Sequence, residues 1–163
     1  MWKTWRVKQR YASRRRNKSS GSGTIVRRQG QTCTVLTNWH VVAIVRGDRR
    51  IVTGDGLLHR RLGVPRRVDD TDLAIVEFLC AIEYKVVPIS AEPAAVPEPL
   101  RSAGFPAGAQ VWAVARGFVE LLLPKSLPQG YSFGYTNEVK IGMSGGPIFN
   151  KSRGLGEAII PTP

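Results

Sequence analysis

Gly142-Met143-Ser144-Gly145-Gly146-Pro147 is the stretch on which the fold turns. It reads as a tight loop that displays one serine hydroxyl. Gly142 lets the backbone turn so that its own N–H and that of Ser144 aim at one point. Gly145 and Gly146 let the chain pass close behind the serine, and Pro147 then opens an outgoing strand.

A serine hydroxyl is a weak nucleophile near neutral pH and needs a base beside it. Two segments upstream offer the partners. Leu36-Thr37-Asn38-Trp39-His40-Val41-Val42 carries an imidazole, the side chain suited to proton transfer near neutrality. Asp72-Leu73-Ala74-Ile75-Val76 carries a carboxylate, which can fix the imidazole tautomer and stabilise the imidazolium. His59, set among Leu58, Arg60 and Arg61, reads as a surface strand residue, and Asp69 and Asp70 compete with Asp72 on composition alone.

The order His, Asp, Ser and the flanks of each residue resemble the trypsin-like (chymotrypsin-fold) serine proteases. The bacterial group is closest, with its Leu-Thr-Asn-x-His-Val-Val, Asp-Leu-Ala and Gly-Met-Ser-Gly-Gly-Pro motifs preceded by Gly-Tyr-Thr-Asn, here Gly134 to Asn137. The likeness covers roughly residues 20–150. It implies an all-β fold of two six-stranded β-barrels with the active site between them. It also implies catalytic His40, Asp72 and Ser144, and an oxyanion hole from the Gly142 and Ser144 amides. The family pattern prefers Asp72 over its neighbours because it directly precedes Leu-Ala. The implied activity is endopeptidase cleavage of protein or peptide substrates, with no metal and no other cofactor; the alternative is a truncated, inactive protease-like domain with a binding role or none. Glu138, six residues before Ser144, falls where the family builds the base of its specificity pocket, and a carboxylate there would favour Lys or Arg. Met143 stands where trypsin has an aspartate. Met forms no ion pair, so activation by insertion of a new N-terminus is not expected.

Along the chain, alternation and turn residues predict strands over 24–28 and 32–37, with a hairpin turn at Gln29-Gly30-Gln31. Further strands are expected over 50–53, 57–68, 73–78, 84–89, 110–116, 118–123, 131–136, 148–149 and 158–160. Residues 20–90 form the first barrel. Residues 91–99, with Pro93, Pro97 and Pro99, read as a stiff linker. Residues 100–163 form the second barrel. Those 64 residues are short for six strands and their connections, so this barrel is expected to be incomplete at the C-terminal end.

The chain has 163 residues, 42% apolar, with 17 glycines and 11 prolines, a composition that suits many short strands. Its net charge of +12 is uneven. Residues 1–18 hold eight Lys/Arg and no acid, and the rest holds 16 basic against 12 acidic residues. Residues 1–19 therefore read as a loose basic arm, with nucleic-acid binding a minor reading, since only Trp2, Trp5 and Tyr11 offer stacking. No run is long and apolar enough for a membrane span, and residues 1–20 show no apolar secretory core. The compartment is left open. Cys33 and Cys80 form no metal spacing; one disulfide is possible, but nothing in their spacing argues for it, and two buried free thiols are the default expectation.

Overall fold

A computed structural model describes residues 5–9, 20–43, 49–109, 111–150 and 158–159. The fold is mostly β. Strands β2 (Ser20–Gln29), β3 (Thr32–Asn38), β4 (Arg49–Val52), β5 (Leu58–Arg67) and β6 (Leu73–Leu79) curl in the order β2-β3-β6-β5-β4. Strand β1 (Trp5–Gln9) pairs with both edges, β2 and β4, and closes the barrel. This corrects the expectation of a loose arm for Trp5–Gln9: closure leaves no barrel edge unpaired. The rest of the expected arm lies outside the described residues.

Alternation fixes the register. In β6, Ala74, Val76 and Phe78 point inward, where they meet Ile25, Val35, Val42, Ile51 and Tyr84. Strand β3 alternates at its start and then buries Leu36, Thr37 and Asn38 in succession. That break in the pattern has a cause: the loop around Gly145 packs against Thr37 and Asn38 from the other side. A short helix, α1 (Trp39–Ala43), follows directly.

Cys33 and Cys80 are joined in a disulfide, contrary to the expected free thiols. Antiparallel pairing of β3 with β6 sets Cys33 opposite Phe78, and Cys80 follows just past the end of β6, where its N–H donates to the Gln31 carbonyl (2.8 Å). Cysteines 47 residues apart in sequence thus meet at 5.8 Å between Cα atoms.

The second unit is an open sheet built from β7 (Glu98–Gly104), β8 (Ala113–Leu122), β9 (Phe133–Tyr135), β10 (Ile148–Asn150) and β11 (Ala158–Ile159), in the order β11-β10-β7-β8-β9. Among the described residues it does not close into a second barrel. Its small core is Leu100, Val119 and Ile148, while Val114, Phe118, Leu121 and Leu122 of β8 are exposed. Two expected strands, 110–116 and 118–123, are one: β8 runs through Gly117, which pairs with Leu100. The expected strand at 84–89 is irregular over 84–88, with a single β-bridge at Ile89; it is held to the barrel by buried Tyr84 and Val87 and by Val87 N–H on the Ile25 carbonyl (2.9 Å). The linker ends early, because β7 begins at Glu98, whose carboxylate accepts from Ala95 N–H (2.9 Å). No described helix is long and apolar enough to cross a membrane.

Candidate active site

Strand β3 pairs with β6 as far as Asn38 opposite Leu73. Trp39 N–H then donates to the Asp72 carbonyl (2.8 Å), and Asn38 Nδ2 donates to the same oxygen (3.0 Å). These bonds fix Asp72 at the root of α1. Its carboxylate therefore faces the next residue, His40. His40 N–H donates to Oδ1 (2.8 Å), and His40 Nδ1 meets Oδ2 at 2.6 Å. Asp72 is 2% exposed, whereas the His40 side chain is 48% exposed. A buried carboxylate is costly without partners. Here it has both His40 contacts and a third, from the Tyr131 hydroxyl (3.3 Å). Burial, then the nearby Asp72 charge and the hydrogen bond to it, raise the Tyr131 phenol above its ordinary pKa.

The competing residues fall elsewhere. Asp69 and Asp70 are exposed turn residues, and Arg67 binds the carbonyls of Asp70 and Thr71. His59 lies in β5 but is half-buried, not simply on the surface. Its ring packs on Phe78 (4.8 Å between centroids) and it contacts Thr53 and Tyr84.

Ser144 comes from the second unit, on a loop clamped to the first. Its carbonyl accepts from Ser22 N–H (2.7 Å). Gly145 has φ +82°, and a Cβ there would collide with Thr37 Oγ1 and the Ser22 carbonyl. Gly142 has φ +96°, and a Cβ would stand 2.6 Å from Ala107 N. Only glycine fits either place. Among the described hydrogen bonds, neither the Gly142 N–H nor the Ser144 N–H is used within the protein. The loop thus carries an exposed serine and two uncommitted amides, and it sits at the end of β3 from which His40 departs. The described hydrogen bonds join His40 to Asp72 and not to Ser144.

Beside Ser144 is a cavity of about 110 Å³ lined in part by Asn38, Ser102, Ala103, Tyr135, Val139 and Ile148. Glu138 does not line it. It lies on a neighbouring depression with Arg116 and Lys140. Met143 is buried, and its sulfur accepts from Lys140 N–H (3.4 Å). Sequence reasoning missed Tyr131, whose contact with Asp72 spans 59 residues and has no local signal.

A family model of the trypsin-like peptidase domain matches residues 21–155. The structure is similar to Rv3671c from M. tuberculosis H37Rv, a serine-to-alanine mutant in an inactive form. The identity is 17% and the TM-score 0.69, covering 90% of this chain and 71% of that one. It is also similar to the serine endoprotease from Yersinia pestis. There the identity is 20% and the TM-score 0.70, covering 98% of this chain and 58% of that one. At such identities the likeness is one of fold, a chymotrypsin-like arrangement. A search of curated proteins gives no match.

Proposed function

Because this chain belongs to the trypsin-like peptidase family, we propose that it is a serine endopeptidase acting through Ser144, His40 and Asp72. The observation that carries the reading is the doubly hydrogen-bonded His40–Asp72 pair, set where the Ser144 loop docks on β3. Asp72 keeps a proton on Nδ1, which leaves the Nε2 lone pair as the base. Ser144 Oγ attacks the substrate carbonyl carbon while its proton passes to Nε2. The oxygen that gains charge takes the Gly142 and Ser144 N–H groups. Collapse expels the amine, which leaves with the His40 proton, and water repeats the sequence on the acyl-enzyme to release the acid. In unliganded enzymes such hydrogen bonds are often long and tighten with substrate, which accommodates the unjoined His40 and Ser144.

The cavity beside Ser144 receives the side chain before the cut bond. Ala103, Val139 and Ile148 give it an apolar side, while Asn38, Ser102, Tyr135 and Lys140 give it a polar one. Glu138 points to no preference for Lys or Arg, since it lies outside that cavity.

The test is digestion of an unfolded protein or peptide library by protein shown to melt cooperatively, with new termini read by mass spectrometry. Cuts that Ser144→Ala abolishes are expected. No cuts by folded protein, or cuts that Ser144→Ala leaves in place, would overturn the reading and favour a non-catalytic binding role.

A further inference from the structure

Ser22 has a second tie to the loop, through its side chain. It is fully buried, and all of its polar atoms are engaged. Its N–H donates to the Ser144 carbonyl (2.7 Å), and its carbonyl accepts from Thr37 Oγ1 (2.6 Å). Its hydroxyl accepts from Phe105 N–H (2.8 Å) and stands 2.8 Å from the Gly142 carbonyl. A carbonyl can only accept, so the hydroxyl proton is directed at Gly142.

The loop's peptide planes show what this does. In a trans peptide, the N–H points opposite to the C=O. The Gly142 N–H therefore takes its direction from the Ile141 carbonyl, which is held by Ala107 N–H (2.6 Å). The Ser144 N–H takes its direction from the Met143 carbonyl, held by Gly146 N–H (2.9 Å). Between and after these two planes lie the 142–143 and 144–145 peptides. Ser22 grips both, one through its side chain and one through its backbone. Rotation of the 142–143 peptide would turn both amide-bearing planes apart. Phe105, next to the end of β7, locks the same hydroxyl to the second unit.

We propose that Ser22 is a positioning residue: its hydroxyl holds the Gly142–Met143 peptide so that the Gly142 and Ser144 amides converge on one point. This rests on the serine endopeptidase reading and adds a residue from the first barrel to its oxyanion site. Ser22→Ala deletes the side-chain grip and keeps the backbone one. A misplacement of this kind costs on the order of 10- to 100-fold in rate. Since the amides act on the transition state, the loss falls on kcat and leaves KM within about twofold.

The experiment compares Ser22→Ala with Val76→Ala, a barrel-core truncation remote from the loop that lowers the melting temperature. Peptide hydrolysis gives kcat and KM, and backbone NMR gives the Gly142 and Ser144 amide resonances. The expected result is a selective kcat loss in Ser22→Ala and shifted loop resonances, with kcat kept in Val76→Ala. Equal kcat in both variants and unmoved loop resonances would overturn the inference. A folded but inactive parent would overturn the endopeptidase reading instead, and the loop resonances would still decide whether Ser22 holds the loop. Should Ser22→Ala not fold, Ser22→Cys, which keeps the shape and weakens both hydrogen bonds, gives the same comparison.

Discussion

Replacing Asp72 with asparagine changes one atom's chemistry and almost nothing of its shape. The carboxylate receives His40 N–H on Oδ1 at 2.8 Å and faces His40 Nδ1 with Oδ2 at 2.6 Å. In Asp72→Asn the amide oxygen is required by the backbone N–H, so the NH₂ group lies against Nδ1. Two donors cannot face each other, so Nδ1 becomes an acceptor and the ring proton moves to Nε2. The lone pair that would take the Ser144 proton is then gone. The expected loss in kcat is on the order of 10⁴, about 5.4 kcal/mol of transition-state stabilisation. Folding changes far less, by roughly 1–3 kcal/mol, because only charge-assisted hydrogen bonds are weakened. Peptide hydrolysis and a thermal melt on the same preparation separate the two. A loss in kcat below tenfold, with an unchanged melt, would refute the tautomer argument.

Other consequences follow from single features. Cys33→Ser/Cys80→Ser opens a 47-residue loop; a destabilisation of about 4 kcal/mol, a fall in Tm of roughly 10 °C, is expected in calorimetry, and reductant should destabilise the parent similarly. Gly142→Ala places a methyl against Ala107 N and the Phe105 carbonyl at φ +96°; it should lower kcat by on the order of 10²–10³ in steady-state assays. Burial raises the Tyr135 phenol above its ordinary value of 10.0, as burial and then the Asp72 charge raise Tyr131. The folded state therefore binds these protons more tightly, its contribution is whole below pH 10, and it is lost as pH climbs through the raised values. Chemical denaturation across alkaline pH should show that fall, and Tyr135→Phe should flatten it.

What the sequence made legible was local. Glycines around Ser144, the flanks of His40 and the Leu-Ala after Asp72 each encode a backbone geometry within a few residues. Strands β3 and β6 were equally plain, because their alternation reports one buried face. The rest depends on register and distance. The Cys33–Cys80 bridge exists because β3 and β6 pair antiparallel, which spacing alone does not reveal. Tyr131 and Ser22 reach the site across 59 and 120 residues. Strand β1 lies in a basic stretch, whose charge masks a five-residue strand signal. Glu138 had the expected place in the chain, but it lines a neighbouring depression with Arg116 and Lys140 and not the cavity beside Ser144.

The central claim is that Ser144 is an activated nucleophile. Reaction of the folded protein with a fluorophosphonate, followed by peptide mass spectrometry, tests it most directly. The account predicts one adduct, on Ser144, lost in Ser144→Ala and strongly slowed in His40→Ala. Absence of any adduct on folded protein, or the same adduct yield in Ser144→Ala, would contradict it.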